Sequence, residues 1–306
     1  MLVADRRITL LLKSDTEAVE ALAVPRTALS RMQVASLSSA TTDSLRFRRR
    51  GTIVVTSEAL DDPHMADLLA GLSLSGVRVV RPHEFYERIM RRASLDDVDE
   101  SWFLFNRPLR ARRTYAAIKR VTDVVAGLIG SLLVCLIVPI IALLISLDDG
   151  GPVFFRQERI GRGRRPFLIW KFRTMREDAE LDGPAWAAPN DARVTRIGRL
   201  LRRTRLDELP QFFNVLKGDM ALVGPRPERP EFVRILERAV PFYQRRHLMR
   251  PGITGWATVR FGYGDTVTDK WRSHEYDLYY LKHRSPLLDL EILARTMVVM
   301  LLRKGQ

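Results

Sequence analysis

The densest concentration of reactive side chains in this sequence is Arg202-Arg203-Thr204-Arg205-Leu206-Asp207-Glu208-Leu209-Pro210-Gln211. An apolar pattern of Leu209, Phe212, Phe213 and Leu216 follows and stops at Gly218. That pattern predicts a short helix with Asp207 as its N-cap and Pro210 in its first turn, where a missing N–H costs nothing. A carboxylate so placed is held ionised by the helix dipole and the neighbouring Arg side chains. It can serve as a nucleophile or as a Mg²⁺ ligand, and the same Arg-collared helix end can hold phosphate. The plainer reading of these residues is a capping Asp with a surface ion pair.

Two further groups could share that chemistry. In Val223-Gly224-Pro225-Arg226-Pro227 two prolines fix the backbone on either side of one Arg, so its guanidinium is presented with little freedom. Lys171-Phe172-Arg173-Thr174 puts two cations at alternate positions of a strand end. An ordinary turn and a solvated strand face are the competing readings. His64, His83, His247, His274 and His283 have no zinc-site spacing, and the chain's single cysteine, Cys135, excludes an intrachain disulfide framework. Gly161-Arg162-Gly163 lacks the rest of a P-loop, and no Ser or Cys sits in a nucleophile-elbow context.

The elements that must position these groups follow from hydropathy and charge. The 306 residues suggest two domains, and the division is electrostatic. Residues 1–108 carry 15 basic and 15 acidic side chains, whereas residues 109–306 carry 35 and 21 and so hold the whole net charge of +14. Such an excess implies an anionic partner: nucleic acid, acidic lipid or a phosphorylated substrate. In the first part Ile8–Leu12, Thr52–Thr56 and Val77–Val80 read as strands and His64–Leu72 as a helix, a small α/β module without a dinucleotide-binding fingerprint. Ile8–Leu12 is also too short an apolar run for a signal peptide. Residues 25–50 read as a flexible excursion and Ser94–Asn106 as a linker whose Trp102, Phe103 and Phe105 form a docking patch.

Val124–Leu147 contains no charge and passes the length test for a membrane helix. Arg107, Arg110, Arg112, Arg113, Lys119 and Arg120 precede it, and Arg156, Arg159, Arg162, Arg164 and Arg165 follow. Positive clusters belong on the cytoplasmic side, and here both ends qualify. With Pro139 breaking the run, a segment that enters and leaves by the same face is favoured over a straight span. Beyond it, Val153–Phe155 and Phe167–Trp170 read as strands around a turn at Gly161–Arg165. Val194–Leu201 carries a helical stripe, and Pro286–Leu302 is an apolar C-terminal helix, either core or interfacial, that ends in Arg303 and Lys304.

The stretch from Tyr115 to Leu302 resembles the bacterial sugar transferases, the monotopic phosphoglycosyl transferases. The matching motifs are Gly151-Pro152-Val153-Phe154-Phe155-Arg156-Gln157-Glu158-Arg159-Ile160-Gly161, Lys171-Phe172-Arg173-Thr174-Met175, Leu206 to Gln211, Gly218-Asp219-Met220 with Val223 to Pro227, and Arg250-Pro251-Gly252-Ile253-Thr254-Gly255-Trp256. The resemblance implies an α+β fold: a mostly helical, membrane-anchored catalytic domain (109–306) with short strands and a re-entrant helix, after a small, partly Rossmann-like module (1–108) that is regulatory or oligomerising. It implies transfer of a sugar 1-phosphate from a UDP-sugar to polyprenyl (undecaprenyl) phosphate, releasing UMP, as the initiating step of exopolysaccharide synthesis. Asp207 would be the nucleophile and a metal ligand, and Glu208 would assist with protons or metal positioning. Lys171, Arg202 and Arg226 would line the phosphate and nucleotide site, Mg²⁺ would be the cofactor, and Pro139 would mark the membrane break.

The implied partners are the two substrates, the lipid bilayer and a homo-oligomeric copy, with no nucleic acid, at the cytoplasmic face of the bacterial inner membrane. The family often has Ser before the membrane proline; this chain has Val138, which cannot satisfy a freed carbonyl. After Trp256 it reads Arg260-Phe261-Gly262-Tyr263-Gly264-Asp265 where the short archetype has an Asn-Gly-Arg run, a departure that looks like the exopolysaccharide-associated branch. That branch usually carries several N-terminal membrane helices, which this chain lacks ahead of its first module. An inactive membrane scaffold and a basic nucleic-acid protein are the competing functions; the intact Asp207-Glu208 pair opposes the first and the uncharged segment the second.

Overall fold

Short runs, mostly apolar, set the N-terminal third. In the computed structural model β1 (Ile8–Leu12), β2 (Met32–Ser36), β3 (Thr52–Val55) and β4 (Arg78–Val80) form a parallel sheet in the order β2-β1-β3-β4. Leu10 pairs with Val34 on one side and Val54 on the other. All four residues of β3 are buried, as an inner strand of a parallel sheet requires. The sheet corrects one expectation: residues 25–50 are not simply an excursion, because Met32–Ser36 supplies an edge strand. Helix α1 (Pro63–Leu74) is capped by Asp62, whose Oδ1 accepts the His64 N–H at 2.9 Å. It packs Met65, Leu69 and Leu72 on Ile53, Val55 and Val77, and α2 (Pro82–Met90) follows.

The chain divides into units Met1–Val98 and Asp99–Gln306. Residues 8–12, 32–36, 52–55, 61–105, 113–179, 183, 191–262, 264 and 266–301 are described. Arg107, Arg110, Arg112, Tyr263, Asp265, Arg303 and Lys304 lie outside them.

The second unit is mostly helical with short strands, an α+β arrangement. It begins with α3 (Glu100–Phe105), where a linker was expected. Trp102 and Phe103 are buried: Phe103 packs on Phe242 at 5.1 Å, and the Arg245 and Lys282 cations lie over the two rings. Helix α4 (Arg113–Asp148) then runs through Pro139 as one helix, roughly 54 Å long at about 1.5 Å per residue. It is long and apolar enough to cross a membrane.

Its two faces differ. Asp123, Gly127, Gly130, Val134, Ile141 and Ile145 are buried at helical spacing, whereas Leu128, Leu132, Leu136, Ile140, Leu143 and Leu147 are exposed. The buried face is bonded at both ends. Lys119 pairs with Asp289 at 3.0 Å, and Arg120 donates to the Val215 and Leu216 carbonyls at 3.0 Å each. At the other end Asp148 accepts the Ile197 N–H at 2.9 Å, and Asp149 takes a bidentate grip from Arg173.

The hairpin β5 (Phe154–Ile160) and β6 (Pro166–Phe172) is longer than the sequence suggested, closed by a 3₁₀ turn at Arg162–Arg164 with Gly163 at φ 66°. Next come α5 (Arg196–Thr204), α6 (Gln211–Lys217), β7 (Ala221–Val223) and α7 (Pro230–Ala239). A 3₁₀ segment (Tyr243–Leu248), β8 (Gly252–Thr254), α8 (Trp256–Arg260), α9 (Val267–His283) and α10 (Pro286–Leu301) complete the unit. β7 and β8 pair in parallel, Ala221 opposite Gly252. Val134, Ile141 and Ile145 of α4 share a core with Phe172 and Leu201.

Candidate active site

Asp207 and Glu208 lie in a 3₁₀ turn, Leu206–Glu208, between α5 and α6. This corrects the capping reading. Helix α6 starts at Gln211 with Pro210 in the cap position, and Asp207 does not cap it. The turn is made by Arg205, which ends α5 in the left-handed region at φ 57°. A non-glycine there carries backbone strain, and strain of this kind concentrates at functional sites. The effect is to divide the turn. Leu206 and Leu209 pack on the core that α4 shares, while the two carboxylates between them enter the polar site. Both are buried, each 7% exposed.

Their electrostatics differ sharply. Glu208 Oε1 accepts from Lys171 Nζ and from Arg226 Nη2, both at 2.9 Å. Burial pushes its carboxyl up, but Arg226 and Lys171 more than reverse this and hold it well below the usual carboxylate range. Asp207 has no such ion pair among the described residues. Its buried Oδ1 makes no hydrogen bond among the described residues. Burial first, then the Glu208 charge, raises it to about 6 against the pull of Lys171, Arg202 and Arg205. A buried acceptor left unbonded is costly and therefore invites a ligand or a functional explanation.

The cations are positioned from several elements. Lys171 is on β6, and the Asn214 side chain of α6 fixes that strand by accepting from Trp170 N at 3.1 Å and donating to Leu168 O at 2.7 Å. Arg202 of α5 donates Nε to Thr174 Oγ1 at 2.9 Å. Burial lowers both the Lys171 and the Arg202 cations from their ordinary values. Arg226 sits in the loop after β7, whose backbone is pinned along its length. Gly224 N donates to Thr254 O, and the Pro225, Arg226, Pro227 and Glu228 carbonyls accept from Gly252 N, Arg246 Nη2, Arg159 Nη1 and Ile160 N at 2.9, 2.9, 3.3 and 3.0 Å. The β7–β8 junction is so close that a Cβ at Gly224 would lie 2.3 Å from Arg250 O, and one at Gly255 2.2 Å from Gly224 O. That contact explains glycine in both motifs.

Asp207, Glu208, Lys171, Arg202 and Arg226 thus form one neighbourhood. Arg173 does not join it; its guanidinium is spent on Asp149 and on Pro152 O at 2.7 Å. Pro139 lies on the exposed side of α4. The sequence reading missed the layer behind the Arg226 loop: Glu228 with Lys270 at 2.7 Å, and Arg246 with Asp277 at 2.8 Å. The only signal for it was charge in segments that also had to be buried. Among the described residues no three His, Cys, Asp or Glu side chains form a metal cluster. A Mg²⁺ brought in by a diphosphate needs only one or two protein carboxylates, and the unbonded Asp207 Oδ1 fits that role.

A buried carboxylate with an unbonded oxygen, beside a second carboxylate already ion-paired and within a ring of cations, is an arrangement suited to a phosphorylated substrate. The comparisons point the same way. Residues 114–303 match the family described as bacterial sugar transferase. The chain is 43% identical over 230 residues to a UDP-N-acetylgalactosamine-undecaprenyl-phosphate N-acetylgalactosaminephosphotransferase of Aeromonas hydrophila, covering 74% of this chain and 53% of that protein. It therefore spans about half the length of that relative. It is 42% identical over 192 residues to the exopolysaccharide production protein PSS of Rhizobium leguminosarum bv. phaseoli (61% of this chain, 96% of that one). Against a UDP-glucose:undecaprenyl-phosphate glucose-1-phosphate transferase of Escherichia coli the identity is 41% over 181 residues, covering 58% of this chain and 39% of the other. The family match extends over more than half of the chain and contains every element that builds the site, so the chain belongs to the bacterial sugar transferase family.

Proposed function

We propose that this protein transfers a sugar 1-phosphate from a UDP-sugar to undecaprenyl phosphate by way of a covalent Asp207 phosphosugar, the first step in building an exopolysaccharide. The observation that carries this reading is the unbonded, buried Asp207 Oδ1 beside a Glu208 already paired with two cations. Asp207 attacks the sugar-bearing phosphorus. The bond from that phosphorus to the bridging oxygen breaks, and UMP departs with the oxygen and its electron pair. A phosphate oxygen of undecaprenyl phosphate then attacks the same phosphorus, the bond to Asp207 breaks, and the carboxylate is regenerated. Lys171, Arg202 and Arg226 offset the substrate's charge, and Glu208 holds two of them in place. Asp207 would be the residue to hold a Mg²⁺ carried in with the diphosphate, and the ion would supply charge neutralisation to the leaving phosphate.

A lipid acceptor calls for a site at a membrane surface, and a nucleotide donor calls for one on the cytoplasmic side. Helix α4 supports a re-entrant or in-plane course: both its ends are bonded to the same catalytic unit, which a straight crossing would separate. The N-terminal parallel sheet suits a partial Rossmann-like module with a regulatory or oligomerising role. The test is UMP release from a panel of UDP-sugars with undecaprenyl phosphate, together with trapping of labelled phosphosugar on the protein. Asp207→Asn should abolish both. Full turnover by that variant would overturn the covalent route, and no release from any nucleotide sugar by the folded protein would favour a scaffold.

A further inference from the structure

Behind the Arg226 loop lies a pair of charges with no hydrogen bond to Asp207 or Glu208 among the described residues. Arg246, in the 3₁₀ segment Tyr243–Leu248, and Asp277, on α9, have side chains only 6% and 3% exposed. A single guanidinium nitrogen, Arg246 Nη2, is 2.8 Å from Asp277 Oδ2 and 2.9 Å from the carbonyl oxygen of Arg226. Its Nη1 donates to the Tyr243 hydroxyl. Burying an ion pair is expensive and is weak support for stability as such, so such a pair invites a specific account. Here the guanidinium is held by a hydrogen bond to the Tyr243 hydroxyl and by a close ionic contact with Asp277 Oδ2 that lacks hydrogen-bond geometry, while its third contact is the backbone of the residue that grips Glu208. Pro225 and Pro227 leave that stretch with no N–H of their own on either side of Arg226, so its placement depends on what its carbonyls accept.

We propose that Arg246, oriented by Asp277, is a positioning residue for the sugar-phosphate donor site: it fixes the Arg226 carbonyl and so the geometry in which the Arg226 guanidinium meets Glu208 and the donor's diphosphate. Arg246 itself touches neither Glu208 nor Asp207 by a hydrogen bond; it works through Arg226. The inference rests on the transferase reading above.

The test is a double-mutant cycle on the full-length protein in membranes, read as UMP release with each substrate varied in turn. Arg246→Met combined with Asp277→Asn removes both charges and leaves neither buried alone. Its kcat/KM for the UDP-sugar should fall about tenfold or more, with the donor KM raised and the undecaprenyl phosphate KM within about twofold of the starting value. A merely smaller folded fraction would lower kcat and move neither KM. In an Arg226→Ala background the same pair should cost less than about twofold, because the residue it serves is gone. Should the pair fail to fold, Arg246→Lys keeps the charge opposite Asp277. A single ammonium cannot reproduce the three-way fork, and the same donor-specific loss is expected. Equal losses with and without Arg226, or an unchanged donor KM, would overturn the proposal. An unsubstituted protein that releases no UMP would instead overturn the transferase reading itself.

Discussion

At the scale of single residues, the site's chemistry lies in the contrast between two adjacent carboxylates. Glu208 is bonded to Lys171 and Arg226 and stays ionised; Asp207 is buried, its Oδ1 unbonded among the described residues, and raised to about 6. Groups pushed apart in this way take different roles. A nucleophile must be the carboxylate, so activity should rise with pH as Asp207 loses its proton near 6 and flatten above. Lys171→Met removes a cation that favours the ionised form. The rising limb of kcat/KM for UMP release, followed between about pH 5 and 8, should then move to higher pH while the plateau falls. A limb that stays put would mean that another group titrates.

At the scale of elements, the site depends on where backbones meet. The Asp207-Glu208 pair was legible as a motif, but its setting was not. The left-handed turn at Arg205 replaces the expected N-cap, and no local pattern marks an Arg for that conformation. Likewise Met32–Ser36 becomes a strand because β1 offers it a parallel edge, and that pairing is decided outside the segment. Arg246 and Asp277 are 31 positions apart and meet only once α9 has packed. The glycines were quoted as motif letters, and the structure supplies their reason. Gly224→Ala would place a Cβ 2.3 Å from Arg250 O and 2.9 Å from Gly252 N. The β7–β8 junction must then part, at a cost of about 1–3 kcal/mol. A lowered thermal midpoint together with reduced UMP release is expected, since the Arg226 loop starts there.

At the scale of the whole molecule, the +14 charge resides in residues 109–306, the part that carries both α4 and the site. On the proposed function, cations around a diphosphate and cations beside an anionic lipid surface would share that excess. The long apolar helix was legible from its uncharged run, and the charged flanks argued for one face. What composition did not reveal is that one side of α4 is core. The two sides should respond oppositely to substitution. Leu132→Ser with Leu136→Ser, on the exposed side, should weaken co-sedimentation with anionic vesicles and leave the thermal midpoint nearly unchanged. Val134→Ala, fully buried, should keep membrane association but destabilise the fold by about 1–3 kcal/mol through the cavity it leaves. Equal effects from both would mean that the helix does not divide its duties.

The shared core around Val134, Ile141, Ile145, Phe172 and Leu201 has a practical meaning. Helix α4 cannot be cut away without harm to the site, because excision would strip the wall against which Leu206 and Leu209 hold the Asp207-Glu208 turn. A soluble form has to be reached by recolouring the outward side of the helix, one leucine at a time, with its inward side left as it is.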